Sequence, residues 1–357
     1  LIFSKKKKKK KKKTKKNYKR QSWSERHSLA RLQALYSILQ YIAMNTYNIF
    51  NVIASWIVPE NVLSFYLHIA NSPKNEEHKA IIEEAAQLIG ELANLSSMNR
   101  QHGSMSVSIY DTAWASMIVT KAPVKDGDEY RWLFPESFAF LLRSQLDDGS
   151  WNVTGSEIDG LLNTLSACLA LVKHRDNTAC PHSSSVVAVI EKRIYKAVGW
   201  LQLMLQEWEI GECDRVGFEI LVPTLLALLA ENGISLTFTK LEALQKLNMQ
   251  KLARFDHRIL ESDHPTTLLH SLEGLIGKID FDKISHRKVK GGMLASPSST
   301  AAYIMYSTEW DDEAANYLRK AFEMGSGKGC GGFPSAFPSE IFEISWVSFL
   351  CVLWNRT

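Results

Sequence analysis

Between Gly160 and Leu252 the sequence repeats one pattern: a helix-length run with apolar residues every three or four positions, then a short polar break. The runs are Gly160–Lys173, Val186–Glu207, Gly217–Ala230 and Leu241–Leu252, and Asp176–Ser185 is one of the breaks. Such spacing gathers the apolar side chains into one stripe of a helix, whereas a strand would alternate them every second residue. No sustained alternation occurs, so the pattern predicts an all-α fold of paired helices around an α/α-barrel. Phe138–Gln145 resumes a helix, and His78–Leu95 reads as an amphipathic one, with Ile81, Ala85, Leu88, Ile89 and Leu92 in register. Lys121–Tyr130 reads as a polar linker with turn chemistry. A chain of 357 residues with 45% hydrophobic content can bury a sizeable core and ordinarily makes two domains.

The formal net charge of +4 conceals a division. Residues 1–20 hold thirteen Lys or Arg and no acid, which leaves −9 over the remainder. An acidic body argues against nucleic-acid binding. The lysine tail could attract RNA or acidic lipid, but no such tract can fold. From Leu32 to Pro59 no charged residue occurs for 28 positions, long enough to cross a membrane. Gln33, Gln40, Asn45, Asn48 and Asn51 interrupt the run, and amides are costly to bury in hydrocarbon. Residues 1–75 are read as a basic tail and an uncharged apolar segment outside the fold. The five cysteines form no C-x-x-C pair, which suggests reduced thiols in an intracellular, cytoplasmic protein.

Pro265-Thr266-Thr267-Leu268-Leu269-His270-Ser271-Leu272-Glu273-Gly274 offers the candidate chemistry. Pro265 suits the first turn of a helix and Asp263 can cap it. At 100° per residue Leu268, Leu269, Leu272, Leu275 and Ile276 take one face, and Thr266, Thr267, His270, Glu273 and Gly274 the other. His270 then points away from the leucines, either as a cavity-lining base or hydrogen-bond anchor or on an ordinary solvated face.

This segment closely resembles the PTTLLHSLEG stretch of class II diterpene cyclases, the copalyl diphosphate synthase family. Three more segments resemble the same family in the same order: Ser106–Trp114 (SVSIYDTAW), Ser296–Ala301 (SPSSTA) and Gly331–Pro338 (GGFPSAFP). Gln145–Trp151 (QLDDGSW) resembles the Q-x-x-D-G-S-W element of α/α-barrel cyclases, a helix end closed by glycine with tryptophan packed back. The resemblance implies an α/α-barrel γ domain over 121–320 and an incomplete β domain, begun at 78–120 and resumed at 321–357. It also implies that Tyr110, Asp111, Trp114 and Trp151 support the structure, Asp111 as a buried, hydrogen-bonded group rather than an acid.

Complete relatives cyclise geranylgeranyl diphosphate to copalyl diphosphate by protonating an alkene. So weak a base demands a strong carboxylic acid in a dry cavity, which the family supplies from a D-x-D-D motif. No D-x-D-D or D-D-x-x-D occurs here. Glu309-Trp310-Asp311-Asp312 and Asp147-Asp148 are decoys, since Asp311 simply opens a helix. The resemblance therefore implies an N-terminal fragment, inactive alone. It assigns His270 to holding the water that takes the final proton, with Ser335 where plant relatives carry asparagine, closer to fungal bifunctional cyclases. Lys251 lies near the lysine that faces the diphosphate, and Glu212 and Asp214 stand where relatives carry an acidic Mg2+-associated motif. A solvated acidic turn is the simpler reading of that pair. Gly325–Gly332 fails as a phosphate loop because Lys328 is followed by glycine and no strand precedes it. Phe342, Trp346, Phe349 and Trp354 read as an aromatic helix face, with residues 321–357 expected to be poorly ordered alone. Other readings are a non-catalytic α/α-barrel scaffold and a triterpene cyclase or prenyltransferase relative.

Overall fold

A computed structural model describes residues 103–124, 127–151, 156–213 and 216–339, with Gln87 and Phe342. Within one unit, Ser64–Thr357, the chain runs β1 (Val107–Ser108), α1 (Ile109–Ser116), β2 (Val119–Val124) and β3 (Gly127–Trp132). Helices α2 (Pro135–Ser144), α3 (Glu157–Asp176), α4 (Ser184–Glu207), α5 (Phe218–Glu231) and α6 (Leu241–Leu252) follow, then a one-turn α7 (Arg258–Glu261). After 3-10 turns at Thr267–His270, Leu272–Leu275 and Phe281–Arg287 come α8 (Pro297–Tyr306), α9 (Asp312–Met324) and β4 (Phe333–Pro334).

The four periodic runs of the sequence are α3 to α6, with boundaries shifted by at most a few residues. α3 is the centre of this set and packs against α1, α4 and α5. Its burial explains its composition: Leu161, Leu165, Ser166, Ala167, Cys168, Leu169, Ala170 and Leu171 cover every side, as a helix enclosed by others requires. Ser156 caps it through the Asp159 N–H, and Lys173, His174 and Arg175 close its last turn. α5 keeps a helical course through Pro223 and buries Phe218, Val222, Leu225, Leu228 and Leu229.

Two features depart from the reading of the sequence. Residues expected to form a linker instead form a hairpin, β2 against β3, with Val119 opposite Trp132 and Val124 opposite Gly127. Its strands read VTKAPV and GDEYRW; the stabilising feature is cross-strand pairing, which a polar local composition does not announce. The D-D-G-S-W element does not cap α2 directly. α2 ends at Ser144, and Gly149 instead closes a separate turn in which its N–H donates to Leu146 O and the Leu146 N–H to Ser150 O. Gly149 has φ +97°, and a Cβ there would lie 2.4 Å from Lys196 O, so both conformation and space require glycine. Trp151 packs back as expected: it is fully buried and its Nε1–H donates to Leu141 O at 2.9 Å. Burying a side chain of that size contributes on the order of 4–6 kcal/mol.

β1 pairs antiparallel with β4, so Val107 faces Pro334 and Ser108 faces Phe333 across more than two hundred residues of sequence. The Phe333 N–H also donates to Thr112 Oγ1. Asp311 caps α9 by accepting from the Ala314 N–H at 3.0 Å, the structural role expected of it. The tail, the uncharged run Leu32–Pro59, the His78–Leu95 helix except Gln87, and the aromatic face beyond Phe342 lie outside the described residues. Among the described residues no helix is long and apolar enough to cross a membrane.

Candidate functional site

Thr266–Leu275 is not one helix. Thr266 replaces Asp263 as the cap, its Oγ1 accepting from the Leu268 N–H, and two 3-10 turns are joined at Ser271. The tighter winding changes which residues share a face. Leu269, Leu272 and Leu275 are buried, as the periodicity predicts, but Glu273 and Gly274 are buried with them. Gly274 explains part of this, because a Cβ would lie 3.0 Å from Ile220 Cγ2 and 3.1 Å from Leu221 Cδ2 of α5. The Thr224 hydroxyl donates to Gly274 O at 2.8 Å, fastening the turn to α5.

His270 stays exposed, as does Thr267, while Leu268 and Ser271 are half-buried. Surrounding protein still desolvates its imidazole and pulls the pKa below the usual value. Exposed yet desolvated by its neighbours, the ring is at neutral pH an uncharged proton acceptor.

Glu273 meets the start of α8. The Ser299 hydroxyl donates to its Oε2 at 2.9 Å and the Ser298 hydroxyl to its Oε1 at 3.3 Å. Ser299 Oγ also accepts from the Leu272 N–H at 3.0 Å. The Ser298 N–H donates to Asp111 Oδ1 at 3.0 Å, so one serine bridges two buried carboxyls. Burial raises Asp111 to about 6 against the hydrogen bonds from Ser108 and Ser298. Burial, then the neighbouring Asp111, raises Glu273 to about 7 despite its own hydrogen bonds. Tyr110 Oη is buried without a hydrogen bond of normal geometry, although Glu273 and Trp114 lie close enough to affect its ionisation. Asp111 is buried and hydrogen-bonded, and Trp114 belongs to the core. The Glu273–serine cluster was not read from the sequence. Its available signal was the hydroxyl-rich helix start Ser296-Pro297-Ser298-Ser299, which presents donors to an anion.

The remaining candidates are dispersed. Lys251 Nζ pairs with Glu219 Oε1 at 2.8 Å, with Glu219 largely buried and the ammonium partly exposed. Glu219 Oε2 also accepts from the Gly217 N–H, which fixes the carboxylate at the start of α5. The Ser335 N–H donates to Ser106 O at 3.0 Å beside the β1–β4 pair, and its side chain is half-buried. Glu212 ends a 3-10 turn, Ile210–Glu212; its side chain and all of Asp214 lie outside the described residues. Among the described residues no group of three His, Cys, Asp or Glu is arranged to hold a metal. An open cavity of about 390 Å³ lies between Glu209–Gly211 and α6, lined by Lys240, Lys246, Leu247 and Gln250 rather than by the candidates.

No model of a known protein family matches the chain. Individual proteins do. It is 46% identical over 266 residues to copalyl diphosphate synthase of Talaromyces verruculosus, covering 74% of this chain and 27% of that protein. It is 44% identical over 273 residues to phyllocladan-16-alpha-ol synthase of Phomopsis amygdali, with 76% and 27% covered. Among solved structures, ent-copalyl diphosphate synthase from Arabidopsis thaliana, in complex with (S)-15-aza-14,15-dihydrogeranylgeranyl thiolodiphosphate, matches with TM-score 0.53 and 27% identity over 77% of this chain and 38% of that one. Abietadiene synthase from Abies grandis matches with TM-score 0.55 and 27% identity, covering 76% and 35%. The helical architecture is that of the terpene cyclases. Over the matched residues the chain belongs to the class II diterpene cyclase family, with copalyl diphosphate and ent-kaurene synthases as relatives. It spans about a quarter of the length of those curated relatives.

Proposed function

We propose that these residues form part of a site that cyclises geranylgeranyl diphosphate, with His270 on the side where the final proton leaves. The observation that carries this reading is the accessible, neutral imidazole on a turn whose other functional side chain, Glu273, is buried. A neutral imidazole can hold a water and accept its proton, whereas an imidazolium has no ring lone pair left to accept one. Ser335 is its partner in this reading. Lys251, oriented by Glu219, faces the diphosphate. Glu212 and Asp214 suit Mg2+ by donor chemistry: the ion is hard, prefers oxygen and takes one or two carboxylates alongside substrate phosphates and waters. When bound it would neutralise diphosphate charge. The division into residues 78–120 with 321–357, and 121–320 between, is supported by the β1–β4 pairing, which brings the two outer pieces together.

No D-x-D-D acid occurs in the 357 residues, so the chain by itself should bind the substrate class without protonating it. Calorimetry with a geranylgeranyl thiolodiphosphate and Mg2+ tests this. Saturable binding is expected, weakened about 10-fold by Lys251→Ala through the loss of one charge-assisted contact. Absence of binding, or binding indifferent to both Lys251→Ala and His270→Ala, would refute the assignment. Conversion of geranylgeranyl diphosphate to a cyclic product by the chain alone would overturn its non-catalytic half.

A further inference from the structure

We infer that Glu273 and Asp111 are positioning residues for His270: a buried carboxyl pair, holding one proton between them, fixes the turn that carries the imidazole. The inference rests on the reading that His270 faces substrate.

The geometry begins with the connection. His270 ends one 3-10 turn and Glu273 lies three residues later in the next, with only Ser271 between the two turns. Anything that displaces Glu273 moves a short, taut lever. Three polar atoms of that lever are tied to α8: the Leu272 N–H to Ser299 Oγ, Glu273 Oε2 to the same hydroxyl, and Glu273 Oε1 to Ser298 Oγ. Ser298 passes the connection to α1 through its N–H on Asp111 Oδ1. The loop leading into these serines is itself constrained, with Leu294 at φ 45° and Ala295 at φ 57°. Left-handed conformations cost non-glycine residues about 1–2 kcal/mol each and persist where surroundings over-determine them. Here Ala295 O accepts from the Phe337 N–H at 2.9 Å, while Ser296 caps α8.

Two carboxylates beside one serine in a buried site repel each other, so the fold favours one neutral acid. The other titratable groups facing them do not remove that preference. Tyr110 of α1 keeps its proton because burial and Glu273 raise its pKa. Glu219 of α5 is paired with Lys251. Lys278 directs its ammonium to Thr224 Oγ1 at 3.3 Å and Gly274 O at 3.5 Å. Tyr303, the titratable side chain of α8 nearest the serines in sequence, donates to Asp311 instead. Burial places the two acids near 6 and 7, so the shared proton is lost around neutrality.

The test is the pH titration of the His270 ring proton in the full chain, assigned by its disappearance in His270→Gln. In the wild type the resonance should show, besides its own titration below the usual histidine range, an inflection between about pH 6 and 7. Glu273→Gln should abolish that inflection, with the thermal midpoint unchanged at pH 5, where Glu273 is still protonated. Two smaller changes give opposite signs. Asp111→Asn removes the repelling charge and should move the inflection to lower pH, whereas Ser299→Ala removes a donor to the anion and should move it higher. An inflection that survives Glu273→Gln, or, if that variant does not fold, one unmoved by both Asp111→Asn and Ser299→Ala, overturns the inference. Adding the thiolodiphosphate analogue separates the two claims: failure to shift the His270 resonance refutes the substrate-facing reading while leaving the carboxyl coupling intact.

Discussion

The two ends of α1 are both held by buried ionisable groups, and they solve the same problem in opposite ways. At its start Asp111 joins Glu273 through serine donors. At its end the Ser116 carbonyl accepts from His174 Nε2–H at 2.8 Å. Because a carbonyl can only accept, the proton of that ring is on Nε2, and Nδ1 receives the Nε2–H of His182 at 3.0 Å. His174 is stacked on Trp132 at 3.6 Å and on Phe138 at 3.8 Å between ring centroids. Burial drives it down to about 3, just as burial drives the two acids up. Both ends therefore favour the uncharged form. The difference is in surroundings: hydroxyls and amides can receive a charge at the carboxyl end, while aromatic faces and a single neighbouring imidazole surround His174.

That contrast gives opposite pH signs. The carboxyls have folded pKa values above their unfolded ones, so their contribution is complete below about pH 4 and is lost as pH rises through about 6 to 7. His174 has a folded value below its unfolded one, so its contribution is complete above about 6.5 and is lost as pH falls towards 3. Between pH 4 and 6.5 the two limbs oppose each other, each on the order of a few kcal/mol across its range.

The largest effect should come from cutting the imidazole end. His174→Ala removes the ring between Trp132 and Phe138 and leaves the Ser116 carbonyl without its donor, which should cost about 3–5 kcal/mol in denaturant unfolding. A loss below ~1 kcal/mol would mean that the stack is decorative. Next in size is the carboxyl end. The double variant Asp111→Asn, Glu273→Gln should flatten the decline in stability between pH 5 and 8, measured by melting temperature, and leave the acid limb from His174 exposed. If the decline persists unchanged, other groups cause it. The smallest change is His182→Gln, which can still donate to His174 Nδ1; a loss of about 1 kcal/mol or less is expected. A loss as large as that of His174→Ala would shift the weight of this end from the buried ring to its half-exposed partner.

The sequence was most legible where one local rule ruled alone. α3 to α6 follow the apolar periodicity, Asp311 caps α9 as a carboxylate before a helix should, and Trp151 packs as a lone tryptophan after a turn suggests. The wording of four separated segments also fixed the family, because ordered matches are far rarer than single ones. The hairpin β2–β3 and the 3-10 turns of Thr267–Leu275 were not legible. A polar strand is defined by the partner it pairs with, and a segment winds more tightly only when neighbours, here Ile220, Leu221 and Ser299, leave no room for a regular turn.

By itself the sequence determined an all-α architecture, an acidic body behind a basic tail and the identity of the candidate side chains, since these follow from composition and spacing along one chain. Only the tertiary structure decided that Glu273 turns inward while His270 stays accessible, that Asp111 and Glu273 meet on one serine, and that Lys251 is held by Glu219. The physical reason is that charge burial and hydrogen-bond pairing depend on which distant segments come together. Residues 111, 273 and 298 acquire their chemistry from one another, not from their sequence neighbours.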